Sequence, residues 1–152
     1  EDFGAQNGLL ISPKMIREIF LPRMQRMNDL AHDNDVHVFF HSDGAINEIV
    51  TDMIGIGIDI LNPIQWRCAN MDRAMLKAEY GDKVVLHGAM DNQHTLPFGS
   101  TNDVRAEVRE NLNTLGPGGY ILAPCHNIQP ITPTENILAM YTEAHRRLKT
   151  TR

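Results

Sequence analysis

The sequence predicts an α/β fold, in which parallel strands are joined by helical crossovers, and three observations lead to this prediction. Four short runs are apolar at nearly every position, which is typical of strands buried on both faces of a parallel sheet. Segments with helical spacing of apolar residues lie between these runs, and glycine or proline marks most of the expected helix ends. Strand and helix therefore alternate in the rhythm of βα units.

The four runs define the predicted strands: VHVFFH (36–41), IDILN (58–62), VVLHG (84–88) and GYILAP (119–124). Four βα units are half of an eight-stranded (β/α)8 TIM barrel, so we predict a half-barrel of about four parallel strands with helical crossovers. An open α/β sheet of four or five strands is the alternative. No glycine-rich phosphate-binding motif follows a strand, so a nucleotide-binding doubly wound fold has no positive support.

Five helices are predicted around these strands. The first has Ser12 as N-cap and Pro13 at its first position, and Pro22 is expected to kink it. The next three are expected at 45–53, 70–80 and 101–115, and each ends close to a glycine.

The last predicted helix opens with the segment TPTE. We predict Thr132 as its N-cap, Pro133 at its first position and Glu135 as the partner residue of a capping box. Its apolar face is expected to consist of Ile137, Leu138, Tyr141 and Leu148.

Composition limits the classes of function. The formal net charge is -5 and the pI is about 5.7, so nucleic acid is not expected as a partner. No apolar run reaches the roughly eighteen residues of a membrane helix, and a cytoplasmic location is expected. Cys68 and Cys125 are then expected to be free thiols or ligands. The chain opens with EDFG and no initiator methionine, so a fragment of a longer protein is expected.

Polar side chains recur where each predicted strand ends. In a (β/α) barrel the carboxyl ends of the strands form the face that carries the chemistry, so these residues are the candidate site. They are His41, Ser42 and Asp43; Asn62 and Gln65; His87, Asp91, Asn92 and Gln93; and Cys125, His126, Asn127 and Gln129.

His41 and Asp43 are two positions apart, so on an extended backbone both would face one bound species. Together with Cys125 they form a set that zinc uses, with one coordination position left open. Alternatively, His41 packs in the core and Asp43 caps the following helix. For His87 a packed residue or a pocket group, and for Asp91 an acid or a turn residue, both stay open.

The segments FFHSDGAI, GIDILNPIQ, VVLHGAMDNQ and GYILAPCHNIQPITPTENILAMY resemble the C-terminal half of the uroporphyrinogen decarboxylase superfamily. This superfamily includes zinc-dependent methyltransferases that move a methyl group from a corrinoid protein to a thiol. The resemblance covers essentially all 152 residues. It implies that residues 1–152 are the C-terminal part of a TIM barrel.

The resemblance also implies roles for individual residues. The methyltransferases bind zinc through His-x-Cys after the fifth strand and a further Cys after the eighth. His41 and Cys125 match two of these ligands, and Asp43 replaces the middle cysteine. His126 matches a histidine that contacts the porphyrinogen in the decarboxylases, so Asp43 and His126 are the expected catalytic residues. The expected substrate-binding residues are Asn62, Gln65, His87, Asp91 and Gln129.

Three functions follow as expectations. The first is a zinc-dependent methyltransferase that moves a methyl group between a corrinoid and a thiol, with a small-molecule substrate and a corrinoid protein as partners. The second is a cofactor-free decarboxylase acting on a tetrapyrrole or another polycarboxylate. The third is a catalytically incomplete half-barrel that assembles with a partner, because open sheet edges favour pairing. A homo-oligomer is expected in the third case.

Overall fold

The protein folds around a four-stranded parallel sheet in a computed structural model that describes residues 2–150, excepting the side chains of 148–150. Its four strands lie side by side in the order in which they occur in the chain, and every pairing between them is parallel. The strands are β3 (Phe39–His41), β4 (Ile60–Asn62), β5 (Val85–Met90) and β6 (Tyr120–Pro124). The predicted α/β class and the four parallel strands are therefore confirmed.

Helices connect the strands and flank the sheet. They are α1 (Pro13–Met15), α2 (Leu21–His32), α3 (Asn47–Gly55), α4 (Arg73–Tyr80), α5 (Thr95–Phe98), α6 (Thr101–Leu115) and α7 (Thr134–Thr150). An antiparallel hairpin of β1 (Gly4–Ala5) and β2 (Gly8–Leu9) precedes them. The hairpin and α5 were not predicted, because two-residue strands and a single helical turn leave no periodic signal. No described helix has the length and apolar character that crossing a membrane requires.

The N-terminal helical segment is interrupted where Pro22 was expected to disturb it. Between α1 and α2 lies a π-helical turn, Ile16–Phe20, in which the Leu21 N–H donates to the Ile16 carbonyl. Pro22 itself lies in the first turn of α2, where its missing N–H costs no helical hydrogen bond. The predicted kink therefore takes the form of a wider turn just before the proline.

The first strand is shorter than predicted. Val36 and His37 are exposed, and pairing in β3 starts only at Phe39. The reason is that the Val38 N–H donates to the carboxylate of Asp59 at 2.6 Å. This N–H is then not available to a backbone carbonyl of the neighbouring strand. At the other side of the sheet β5 extends to Met90, because it stays paired with β6 as far as Pro124.

The prediction for the start of the last helix is wrong. α7 begins at Thr134, and the hydroxyl of Thr132 is buried without a hydrogen-bond partner among the described residues. The backbone carbonyl of Pro133 accepts from Asn136 and Ile137 instead. The chain does contain a capping box, but at α6, where Ser100 and Asp103 bond reciprocally.

The predicted apolar face of this helix is also wrong. Leu138 and Tyr141 are 62% and 56% exposed. The predicted member Leu148 has its side chain outside the described residues. The buried face consists of Asn136, Ala139, Met140 and Glu143, and it packs against α6. One side-chain amide and one ion-paired carboxylate thus occupy buried positions where apolar periodicity predicts hydrophobic residues.

Candidate metal site and adjoining cleft

Three side chains of the types that bind metals meet at the carboxyl end of the sheet. His41 ends β3, Asp43 follows it in the loop, and His126 follows β6. One ligand atom from each lies within 4.8 Å of the other two. The Asp43 carboxylate is 4.0 Å from His41 Nε2 and 3.8 Å from His126 Nε2. Two imidazoles and a carboxylate therefore converge, although β3 and β6 are the outer strands of the described sheet.

A fourth polar group, Asp2, lies beside these three. Its Oδ1 is 3.6 Å from His41 Nε2 and accepts a hydrogen bond from the Asp43 N–H at 2.9 Å. The sequence carried no signal for this residue, because Asp2 belongs to no motif and precedes the first predicted element. It increases the negative charge that faces His41.

The loop that carries Asp43 is held by the N-terminal hairpin. The Phe3 N–H donates to Ser42 Oγ at 2.9 Å, and the Ala45 N–H donates to the Ala5 carbonyl at 2.8 Å. Between them Gly44 has a φ of +91°, and a Cβ there would lie 2.5 Å from the carbonyl carbon of Gly4. Only glycine fits this conformation and this close approach.

Asn62 contacts the side of His41 that faces away from Asp43, and His87 contacts Asn62 in turn. Asn62 Oδ1 lies 2.6 Å from His41 Nδ1, and Asn62 Nδ2 lies 2.8 Å from His87 Nδ1. Burial lowers the pKa of His87, which favours its neutral form. The structure brings both residues to the candidate site, and substrate contact by either one stays a prediction.

Burial raises the pKa of Asp43, and the neighbouring carboxylate of Asp2 adds to the effect. The positive forms of His126 and His41 act in the opposite direction. A cation bound among these groups would favour the ionised carboxylate, because it would offset both causes of the higher pKa.

Cys125 lies beneath this cluster rather than in it. Its side chain is 3% exposed, and Sγ donates to the Ile64 carbonyl at 3.4 Å. Burial raises the pKa of the Cys125 thiol far above its ordinary value, so in the absence of a metal this sulfur stays protonated. Cys68 is also a buried free thiol.

A cleft of about 490 Å³ opens beside Asp43 and His126. Its walls combine amide side chains with apolar groups, of which Phe98 and Ile131 are 70% and 62% exposed. No lysine or arginine is found among the described residues that line it. The lining residues are Asp43, Gln65, Asn92, Gln93, Pro97, Phe98, His126, Gln129 and Ile131. The predicted residues Gln65 and Gln129 are thus placed where a substrate could contact them.

Asp91 is 5% exposed and is fully engaged inside the protein. It pairs with Arg67 Nε at 2.5 Å and accepts backbone N–H groups at the start of α5, from Gln93, His94 and Thr95. Burial acts to raise the pKa of Asp91, but these donors and Arg67 outweigh it and lower the pKa. Its predicted contact with substrate stays a prediction.

A second cleft, of about 370 Å³, lies at the opposite end of the strands and is lined by residues that include His37, Asp59 and Lys83. There Asp59 pairs with His32 at 2.9 Å. In barrels this end of the strands contributes to stability rather than to chemistry. The candidate site is therefore the cleft beside Asp43 and His126.

Parallel βα units with polar side chains at the carboxyl ends of the strands are the arrangement of the TIM-barrel class. The family model described as "Uroporphyrinogen decarboxylase (URO-D)" matches residues 2–147, and the chain belongs to this family. The resemblance seen in the sequence is therefore confirmed.

Relatives with two different names share this family. The chain is 33% identical over 132 residues to the "Methylcobamide:CoM methyltransferase MtaA" of Methanosarcina barkeri, a match that covers 86% of this chain and 36% of that protein. It is 38% identical over 68 residues to a uroporphyrinogen decarboxylase of Bordetella petrii. That match covers 43% of this chain and 18% of the decarboxylase. The chain thus spans about a third of the methyltransferase's length.

A solved structure supports the fold. A methyltransferase from Methanosarcina mazei superimposes with a TM-score of 0.76 at 25% identity, covering 91% of this chain and 39% of that one. The longer match and the structural neighbour both carry the name methyltransferase, and the shorter match carries the name decarboxylase.

Proposed function

We propose that the protein is part of a zinc-dependent methyltransferase that moves a methyl group between a corrinoid and a thiol. The observation that carries this proposal is the convergence of His41, Asp43 and His126 at the carboxyl end of the sheet. The similarity to methyltransferases over most of the chain supports methyl transfer as the proposed reaction. A corrinoid protein is the proposed partner, and a small thiol is the proposed substrate.

The residues present fit a zinc ion. Nitrogen and carboxylate ligands are ordinary for zinc, and three protein ligands leave a position open for substrate. His41 is suited to bind through Nε2, because its Nδ1 is already paired with Asn62. When bound, zinc supplies Lewis acidity that lowers the pKa of an acceptor thiol.

The side chains of the cleft would position the acceptor. Gln65 is fixed by the Gly44 N–H, which donates to its Oε1 at 2.8 Å, and its Nε2 donates to Gln93 at 3.3 Å. Gln129 donates to the Asn127 carbonyl at 3.1 Å. These amides offer neutral hydrogen-bonding groups, while Phe98 and Ile131 would exclude water from one side of the cleft.

The geometry favours His126 over Cys125 as the third ligand. His126 has its Nε2 within reach of the Asp43 carboxylate, whereas the Cys125 thiol is bonded to a backbone carbonyl and buried. The family resemblance stated in the sequence analysis implies Cys125 instead. Both are retained as alternatives that one experiment separates.

The experiment measures zinc content and cobalt spectra of three proteins: the native chain, His126→Gln and Cys125→Ser. We expect about one zinc per native chain, strong loss in His126→Gln and little change in Cys125→Ser. With cobalt in place of zinc, we expect no thiolate-to-metal charge-transfer band in the near ultraviolet. Loss of metal in Cys125→Ser together with that band would assign the third ligand to Cys125. Thiol methylation by a native protein freed of metal would contradict the proposal.

The decarboxylase function has one observation in its favour, the match to the decarboxylase of Bordetella petrii. The described lining of the cleft opposes it, because no arginine or lysine there would bind several carboxylates. Turnover of uroporphyrinogen would decide in its favour.

A homo-oligomer is also proposed. Within the described residues β3 and β6 each have only one strand neighbour, and unpaired strand edges favour association. The pairing of two such sheets would give a more nearly closed assembly.

A further inference from the structure

A chain of hydrogen bonds crosses three neighbouring strands directly behind the candidate metal site. It links His41 at the end of β3, Asn62 at the end of β4 and His87 in β5. His41 and Asn62 are direct partners in the register of the sheet, so their side chains leave the backbone side by side. Neither Asn62 nor His87 is among the residues that line the cleft.

The direction of these bonds follows from the chemistry of the amide. An amide nitrogen only donates and an amide oxygen only accepts. Asn62 Nδ2 therefore donates to His87 Nδ1, which must carry a lone pair. Asn62 Oδ1 accepts from His41 Nδ1, which must carry a hydrogen. In neutral His41 the lone pair is then on Nε2, the atom that faces Asp2 at 3.6 Å and Asp43 at 4.0 Å.

We propose that Asn62 is a positioning residue, held in orientation by His87, that keeps His41 in the tautomer able to bind a metal through Nε2. This inference rests on the proposed metal site. A half-turn of the Asn62 amide would reverse both bonds. His87 Nδ1 would then carry a hydrogen and His41 Nδ1 a lone pair, and the neutral His41 ring would carry its hydrogen on the atom that must bind the ion.

The surroundings make the arrangement hard to replace with water. Asn62 is 7% exposed, and the ring of Phe39 packs edge-on against His87 with centroids 5.0 Å apart. A water molecule that took the place of the amide would have little room and could donate or accept in either direction. Asn62 and its anchor His87 therefore determine which tautomer is present.

The first test uses the native full chain without metal and needs no variant. Histidine side chains labelled with ¹⁵N are examined by long-range ¹H–¹⁵N correlation at alkaline pH, where imidazoles are neutral. We expect opposite tautomers: Nδ1–H for His41 and Nε2–H for His87. The reverse pair of tautomers would overturn the inference, even if the native protein bound zinc tightly.

The second test measures zinc affinity by competition with a chromophoric chelator. Asn62→Leu keeps the approximate volume and removes both hydrogen bonds, and we expect about 10- to 100-fold weaker binding. Asn62→Asp keeps an acceptor for His41, and we expect affinity within about threefold of the native value. His87→Phe removes only the hydrogen bond that holds the Asn62 amide. Its zinc affinity is expected to lie between those of Asn62→Leu and Asn62→Asp.

Asn102→Leu is the matched control, because Asn102 is exposed on α6 and its side chain accepts a hydrogen bond from Arg105, away from the candidate site. It should bind zinc as the native chain does. Equal affinity in Asn62→Leu and native protein would overturn the inference while leaving the proposed function intact. Absence of zinc binding by the native protein would instead contradict the proposed function, and the tautomers of the metal-free protein would still decide the role of Asn62.

Discussion

At the scale of single residues, Asp91 shows how one buried carboxylate organises a loop. It accepts three backbone N–H groups at the start of α5 and pairs with Arg67, whose guanidinium stacks on Trp66 at 4.4 Å. Asp91→Asn would remove the charge and one strong acceptor. We expect a loss of about 2 kcal/mol in the free energy of unfolding at pH 7, measured by urea denaturation.

The effect of Asp91→Asn should depend on pH. The pKa of Asp91 is lowered in the folded protein, so its carboxylate contributes stability above the ordinary aspartate pKa. This contribution is lost as the pH falls through the folded pKa. The difference in the free energy of unfolding between the native protein and Asp91→Asn is therefore expected to be largest at about pH 7. It should shrink below about pH 4. A difference that stayed constant down to pH 2 would show that the charge is not its source.

Single residues also show what the sequence could predict of the site. His41 and Asp43 were predicted as a pair from their i, i+2 spacing, and they do lie together. The contact of Asn62 with both histidines depends on the register between strands, which one strand's sequence does not contain. Asp2 reaches the site through the hairpin, which has no periodic signal.

At the scale of elements, the hairpin of β1 and β2 depends on Gly44. Gly44→Ala places a methyl group against the backbone of Gly4 in a conformation that L-residues rarely adopt. We expect about 1–3 kcal/mol of lost stability and faster cleavage of the N-terminal segment in limited proteolysis.

The matched control for this change is Gly55→Ala in the last turn of α3. A Cβ at Gly55 would meet nothing within 4 Å, so this variant should be neutral or up to about 1 kcal/mol more stable. Equal melting temperatures for the two variants would show that the close approach at Gly44 does not matter.

Elements were predicted best where apolar spacing determines them. α4 and α6 lie within a few residues of their predicted limits, since each has a regular apolar stripe and a glycine after it. The start of α7 was misplaced because its TPTE segment matches a capping box while the chain there uses a backbone carbonyl. Competition between side-chain and backbone acceptors is not visible in a sequence pattern.

At the scale of the whole molecule, the edge strand β6 has an exposed apolar residue. Ile121 in β6 is 44% exposed, and β6 pairs with β5 alone among the described strands. If copies associate through this edge, Ile121→Lys should shift the chain towards monomer in sedimentation velocity, because a charged edge residue opposes strand pairing. Met27→Lys, at a 68% exposed position on α2, should leave the association unchanged. A native chain that sediments as a monomer at all concentrations would contradict the proposed oligomer.

The overall architecture could be predicted because it depends only on the alternation of strands and helices along the chain. Continuous apolar runs separated by helical patterns leave few arrangements other than parallel βα units. The position of the site at the carboxyl ends of the strands followed from that architecture. Which neighbouring side chain, His126 or Cys125, faces the cluster could not follow from it, because that choice depends on the path of one loop after β6.

The candidate site draws its groups from Asp2, from the loop at His41 and Asp43, and from His126 near the last helix. These segments are far apart in the chain, so the cluster exists only after β6 has joined the sheet. An ion bound there would add its binding free energy to the stability of the folded chain, because the unfolded chain does not hold these ligands together. Metal retention would then report complete folding, and a partly folded chain would release its ion before the sheet had come apart.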